Sequence, residues 1–316
     1  MPVTSTARAA QGTWDVVGIG ANSVDHVNLL PGTPRSQGAF AKMRITRQSI
    51  CCGGQMATAL VTCARLGLRA KYVGVTGTDD NGRRIRQELA AHDVDLTDLV
   101  IRDAPNQFAI ILVDETTGER IVLWDRDERL ALRERELPVE AIAAARVVHV
   151  DDVDQEAGIR AARIGREAGR IVTSDLDRLT PRTEELVAAV TIPIFAEHVP
   201  PALTGEADPE RALRKLRARH DGLLVVTLGP RGALALEGDR VHHAAAYEVE
   251  ATDTTGSGDV FRGGFVFGLL QGWPVDRVLR FANAAAAASC TRLGAINGAP
   301  SAEDTHRLVE AGRLRQ

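Results

Sequence analysis

The chain has 316 residues, 44% of them apolar, 25% charged and 4% aromatic, with 38 Lys plus Arg against 42 Asp plus Glu for a net charge of −4. That is the composition of a soluble globule large enough to need no staples, and it lacks the basic field that draws nucleic-acid backbones. The four cysteines (51, 52, 63 and 290) form no C-x-x-C pair and no zinc-ligand spacing, so a reducing cytoplasm is the expected location. The first dozen residues carry no signal-peptide core, and no apolar run of about 18 residues exists to span a membrane.

After Trp14 the run DVVGIG predicts a buried strand, and SVDHVNLL continues with the near-alternation of a half-exposed one. QMATALVTCARLG places Met56, Leu60, Cys63 and Leu66 at helical spacing, with Gly67 positioned to end the helix. KYVGVTG then predicts a strand and RRIRQELAAHDV a helix. QFAIILVD and RIVLWD flank Glu115-Thr116-Thr117-Gly118, a turn suited to a hairpin. The alternation resumes with strand RVVHV, helix QEAGIRAARIGREAG, strand RIVTSD, a helix around TEELVAAV, strand IPIFA, helix PERALRKLRAR and strand GLLVVTL. A second hairpin, ALALEGDRVHHA, precedes three helices beginning near Gly256, Val275 and Ala302. Strands alternating with helices imply an α/β fold with a mainly parallel sheet covered on both faces. The whole chain, 1–316, reads as one domain with a small β lid formed by about residues 24–50 and 106–126.

The densest punctuation is Asp253-Thr254-Thr255-Gly256-Ser257-Gly258-Asp259 before the helical VFRGGFVFGLLQG. Two glycines in three residues turn the backbone tightly, and their amides converge at a helix N-terminus where anions are favoured. A carboxylate in the first helical turn, Asp259, is placed to take a hydroxyl proton during phosphoryl transfer. A plain helix cap with a Gly-rich turn would use the same residues. Gly18-Ile19-Gly20 lacks the third dinucleotide glycine, and Gly77 to Gly82 has P-loop spacing with Arg83-Arg84 in place of Lys-Ser/Thr. His149 reads as a core histidine. Asp151, Asp152 and Asp154 read as a loop with a helix N-cap at a strand's carboxyl end, where α/β ligands also bind. Cys51-Cys52 reads as a pair of small buried residues.

DTTGSGDVFRGGF, together with the upstream CCGGQMATALVTCARLGLRAKYVGVTGTDDNG and the early N-S-V-D, resembles the signature regions of the ribokinase-like, PfkB-type carbohydrate kinases over about residues 14–312. The resemblance implies the ribokinase-like fold and an ATP-dependent transfer of the γ-phosphoryl group to a hydroxyl of a small sugar or sugar acid. In that frame Asp25 grips sugar hydroxyls, which an ionised carboxylate accepts well, and Gly53 and Gly54 let the backbone approach the sugar. Asp259 matches the base, and Gly256, Ser257 and Gly258 match the anion hole. Thr227, Gly229 and Gly232 match the turn lining the ATP site, and Asn283 a residue beside the adenine. Asp253 and Thr255, with backbone near Cys290 to Gly294, match a loop for a monovalent cation such as K⁺.

Two departures stand out, and the same resemblance adds a reading of Arg126. Thr58 occupies the place of an Asn that contacts ribose, which argues against that sugar. The family's N-x-x-E motif, linked to Mg²⁺, is absent from FAEHVPPALTG: Ala196 takes the Asn place and Val199 the Glu place, leaving Glu197 as a Mg²⁺ residue acting through water. Arg126, at the end of the returning lid strand, is placed to read an anionic sugar, against the alternative of a solvated charge cluster with Asp125, Asp127, Glu128 and Arg129. Exposed lid edges predict a homodimer through the lid. The rival readings are a nucleoside kinase on the same fold, with Phe40, Phe108 and Trp124 as base-stacking candidates, and an inactive nucleotide-binding regulator.

Overall fold

The structure, a computed structural model, describes residues 14–117 and 120–315, so Gly118 of the anticipated lid turn lies outside the described residues. Strand β1 (Val16–Ile19) leads into β2 (Ser23–Leu30), which pairs with β3 (Arg47–Gly53) before helix α1 (Gln55–Arg65). Gly67 ends that helix at φ 93°, and the Leu68 N–H closes back on the Cys63 carbonyl at 3.0 Å. KYVGVTG is two strands, β4 (Ala70–Val73) and β5 (Val75–Gly77). The break falls at Gly74, whose carbonyl accepts the Val100 N–H and turns β5 toward β6 (Val100–Arg102), beyond helix α2 (Asp80–Ala91).

The lid hairpin is β7 (Phe108–Asp114) and β8 (Arg120–Asp125). The alternating run then proceeds through α3 (Val139–Ala144), β9 (Val147–Val150), α4 (Gln155–Glu167), β10 (Ile171–Ser174), α5 (Thr183–Ala189) and β11 (Ile194–Ala196). Helices α6 (Val199–Thr204) and α7 (Pro209–Arg217) lead to β12 (Leu224–Thr227) and the hairpin β13 (Ala233–Glu237) and β14 (Arg240–Ala244). The chain closes with α8 (Ser257–Leu270), α9 (Val275–Ser289), α10 (Ala295–Gly298) and α11 (Ala302–Ala311).

The parallel strands β4-β1-β9-β10 and the set β11-β12-β13-β14 are joined by parallel bridges Thr173↔Ile192 and Leu176↔Phe195, with antiparallel pairing only at the β13 and β14 end. Successive residues of one strand serve opposite faces. Val16 packs in the same core as Met56 and Leu60 of α1 and Val260 of α8, while Val17 packs with Ala161 and Ala162 of α4. Both faces being covered explains the unbroken apolar runs, and each such Val or Leu contributes about 1.5–3 kcal/mol by burial. No described helix is long and apolar enough to cross a membrane.

The lid sheet has the order β3-β2-β7-β8 and spans 23–53 and 108–125, wider than the sequence boundaries in its first segment and narrower in its second. Strand β2 is buried almost throughout, not half-exposed, because it is a central strand flanked by β3 and β7. The edge strand β8 is exposed along its whole length. Register sorts the lid side chains by face. Cys51, Asp25, Ala109 and Trp124 form one cross-strand row, and Arg47, Leu29, Val113 and Arg120 form another on the same side two pairs along. Ile50, His26, Ile110 and Leu123 lie on the opposite side.

Candidate functional site

Helix α8 begins at Gly256, which holds φ 75° and accepts the Val260 N–H through its carbonyl. Of the amides from Gly256 to Asp259, only that of Ser257 is taken by a backbone acceptor, the Thr254 carbonyl at 3.3 Å. The others point free donors at the place where helix polarity favours an anion. The turn is held from behind by Asp253, whose two carboxylate oxygens accept the Thr255 and Gly294 N–H groups, each at 2.9 Å. The Cys290 carbonyl accepts from Thr252 and Asp253 at 2.7 and 3.1 Å. The two loops anticipated for a monovalent cation are therefore in contact. Asp253 thus ties the two loops together through its carboxylate, each oxygen of which accepts one amide.

Asp25 reaches the same place from the lid. Ser23 Oγ donates to its Oδ1 at 2.9 Å, and a Cβ on Gly53 would stand 2.6 Å from its Oδ2 and 3.6 Å from the Ala295 side chain. A Cβ on Gly256 would in turn stand 2.5 Å from Ala295 Cβ and 3.4 Å from Thr58 Cγ2. Asp25, Gly53, Thr58 and Gly256 thus converge around Ala295. Burial pushes the Asp25 carboxyl upward, the Ser23 hydrogen bond pulls it back, and the Asp253 charge adds a smaller upward push. Thr58 is fully buried, with its Cγ2 toward Gly256 and no partner for its Oγ1 among the described residues.

Asp259, in the first turn of α8, adjoins Asp175, and Asp175 is ion-paired to Arg262 at 2.7 Å. Burial pushes the Asp259 carboxyl well above the carboxylate range, and the Asp175 charge pushes it further. The sequence reading passed over Asp175, Asp177 and Arg178. The signal was present, since SDLDR directly follows a parallel strand, at the carboxyl end where α/β ligands bind. Asp152 Oδ2 accepts the Asp177 and Arg178 N–H groups at 2.7 and 2.6 Å, locking that loop to the one after β9.

The neighbouring acids serve as anchors. Asp151 accepts the Ala21 N–H at 2.6 Å and the Val153 N–H at 3.0 Å; burial raises its carboxyl to about 8. Asp154 stands at the N-cap of α4 but makes no side-chain cap bond, which corrects the capping expectation. It pairs instead with Arg126, whose Nη2 lies 2.8 and 2.9 Å from its oxygens and 2.8 Å from the Leu130 carbonyl. These bonds use Nη2 alone among the guanidinium nitrogens. Arg129 pairs with Asp127, as the charge-cluster alternative had it. His149 bonds Thr173 through Nδ1 at 2.8 Å, its Nε2 has no partner, and burial pushes it down to about 3, so it is a neutral core residue. Cys51 and Cys52 are free and buried.

On the nucleotide side, Thr227 ends β12, and Gly229 and Gly232 bound the next turn with φ of 55° and 91°. A Cβ on Gly232 would strike the Ala244 carbonyl. Asn283 of α9 donates from Nδ2 to the Ala244 and Ala245 carbonyls at 2.8 and 3.1 Å, fixing the wall that faces the turn. Glu197 is ion-paired to Arg231 of the same turn, so its charge is already compensated. No group of three or more His, Cys, Asp or Glu that could hold a metal occurs among the described residues. Of the lid aromatics only Trp124 shares the Asp25 face, with the Arg178 guanidinium 5.3 Å above its ring. Phe108 packs edge-on against His26, away from the site.

Comparison with known proteins agrees with this arrangement. The chain is 28% identical over 307 residues to the ribokinase of Haemophilus influenzae, covering 92% of this chain and 97% of that one. It is 31% identical over 290 residues to the ATP-dependent ribose-1-phosphate kinase of Halopiger xanaduensis, covering 89% and 95%. A solved Agrobacterium tumefaciens protein, provisionally called a ribokinase, superposes with a TM-score of 0.87 at 29% identity over 95% of this chain and 98% of that one. The sequence profile of the pfkB family carbohydrate kinases matches residues 32–302. The chain, a phosphotransferase acting on sugars, belongs to the pfkB family of carbohydrate kinases.

Proposed function

We propose that this kinase transfers the γ-phosphoryl group of ATP to a hydroxyl of a small sugar held between Asp25 and the N-terminus of α8. The observation that carries the reading is that Gly53, against which the Asp25 carboxyl lies, and Gly256 at the start of α8 both approach Ala295. Asp25 and the backbone at Gly53 and Gly54 grip hydroxyls. Asp259 receives the proton as the hydroxyl oxygen bonds phosphorus and the bond to the ADP leaving group breaks. The amides of Gly256 to Asp259 meet the charge on the transferring group. Thr227, Gly229, Gly232 and Asn283 form the nucleotide wall.

Mg²⁺ bound to the nucleotide would neutralise polyphosphate charge, held mainly by phosphate and water. The Arg120 guanidinium, on the Asp25 face of the lid, donates to Thr254 Oγ1 at 3.0 Å and closes the lid tip onto the cradle loop. A closed lid excludes water that would otherwise divert ATP to hydrolysis. The exposed β8 edge supports a homodimer joined lid to lid, and the free thiols support a cytoplasmic setting.

The test is ADP release over a panel of neutral sugars, sugar acids, phosphosugars and nucleosides. Sugar-dependent release supports the proposal, and release with nucleosides alone would move the acceptor to a nucleoside. Nucleotide binding without release on any acceptor would leave the inactive-regulator reading.

A further inference from the structure

Beneath the cradle lies a charged layer to which sugar and nucleotide binding assign no task. Asp175 and Arg262 have side chains 2% and 4% exposed, with Nη2 2.7 Å from Oδ1. A Cβ on Gly258 would stand 2.8 Å from Arg262 Nη1, so the guanidinium is folded under the first turn of α8. Asp259, in that same first turn, adjoins Asp175, whose two buried carboxylate oxygens have no hydrogen-bond donor among the described residues beyond the Arg262 ion pair. Stability alone gives little reason for such a pair, because desolvating both ions costs about as much as their attraction returns. Two carboxyl groups in hydrogen-bond contact hold one proton between them, since like charges at that distance resist joint ionisation.

We propose that Asp175 and Arg262 are positioning residues for Asp259: the ion pair fixes the Asp175 carboxyl against that of Asp259, one proton is shared between the two, and Asp259 serves as a base when that proton sits on Asp175. In the transfer the shared proton moves along the carboxyl–carboxyl hydrogen bond to Asp175. The substrate O–H then breaks with its proton going to Asp259 as the new O–P bond forms, and the electron pair of the broken phosphoanhydride bond leaves on ADP. After product release one proton returns to solvent. Asp177, on the Asp175 loop, and Asp152, after β9, add negative charge toward the pair. Arg262 of α8 is the cation acting on both carboxyls; Arg178 faces Asp152 at 4.0 Å, and His149 of β9 is neutral.

The mechanistic part rests on the kinase reading, so the experiment has two arms. In the first, the Asp259 carboxyl is titrated by ¹³C NMR of aspartate-labelled protein without substrate, assigned by its loss in Asp259→Asn. Asp175→Asn removes the like charge and leaves Asp259 as counter-ion to Arg262. Its ionisation should fall by at least about one pH unit. Arg262→Gln removes the cation and should move it upward. In the second arm, the acid limb of kcat/KM for whichever sugar the wild type phosphorylates should follow the same two directions. Asp175→Leu, which removes the fixing partner, should lower the plateau by about a hundredfold. If Arg262→Gln does not fold, Arg262→Lys replaces it and should leave the limb in place while lowering the plateau. A folded Asp175→Asn protein whose Asp259 ionisation stays put, or rises, overturns the proposal. A wild type that phosphorylates no acceptor would overturn the kinase reading while leaving the titration to decide the pair.

Discussion

Two glycines with nearly the same φ show how much close approach adds to backbone strain. Gly54, the N-cap of α1, has φ 96°, and a Cβ there would stand 2.6 Å from the Asn22 carbonyl carbon and 2.7 Å from the Ser23 nitrogen. Gly67 has φ 93° with nothing within 4 Å. Alanine at 67 therefore meets only the left-handed penalty of about 1–2 kcal/mol, partly offset through the unfolded chain, for a net loss of about 1 kcal/mol. Alanine at 54 adds a collision with backbone that cannot rotate away, bringing a further cost of about 1–3 kcal/mol. Because the displaced atoms begin β2, the shift reaches Asp25, so KM for the sugar should rise with little change in KM for ATP. Urea unfolding of both variants, alongside steady-state kinetics, measures the difference. Equal destabilisation within about 0.5 kcal/mol, with sugar KM unchanged at 54, would refute the close-approach argument.

Asp259→Asn should keep fold and ATP binding while kcat falls about 10²–10⁴-fold; near-normal turnover would remove Asp259 from the chemistry. Asp25→Ala should chiefly raise KM for the sugar, and a rise confined to ATP would reverse the two pockets. Arg120→Ala removes the bond to Thr254, worth about 0.5–1.5 kcal/mol, so the ratio of ATP hydrolysis to sugar transfer should climb about two- to tenfold; an unchanged ratio would mean that the contact does not close the lid. Arg126→Ala strands Asp154 and should destabilise the fold by about 1–3 kcal/mol, with KM for anionic and neutral sugars changing alike; a selective rise for the anionic sugar would restore Arg126 as its reader. The Thr116 and Thr33 hydroxyls and the Thr116 amide hold the Asp114 carboxyl at about 2. Its folded value lies below the unfolded one, so its stabilising effect is full above about pH 4 and is lost as pH falls toward 2, and the stability gap between wild type and Asp114→Asn should close over that window.

The parallel sheet and the cradle were legible because both are local. Strand and helix periods repeat within about ten residues, and the Gly256-Ser257-Gly258-Asp259 turn offers a candidate anion site in four adjacent residues. What escaped the sequence is pairwise and distant. Arg126 faces Asp154, 28 residues on, and Asp259 faces Asp175, 84 positions back, so neither partner is signalled by spacing. Glu197 looked like the only carboxylate near the absent N-x-x-E motif. The fold brings Arg231 to it from another loop.

The same distinction explains why the sugar is harder to name than the reaction. Phosphoryl transfer is written in one contiguous turn, but the wall that faces the sugar is a property of lid register. Asp25, Ala109 and Trp124 share a face only because β2, β7 and β8 pair as they do, and a slip of one residue would replace Trp124 by Leu123 or Asp125. On the observed register the Asp25 face carries an aromatic ring beneath the Arg178 guanidinium near the core and the cations Arg47 and Arg120 toward the tip, while the opposite face carries Ile50, Ile110 and Leu123. Arg178 and Arg120 therefore join Arg126 as cations whose variants should be assayed with charged and neutral sugars.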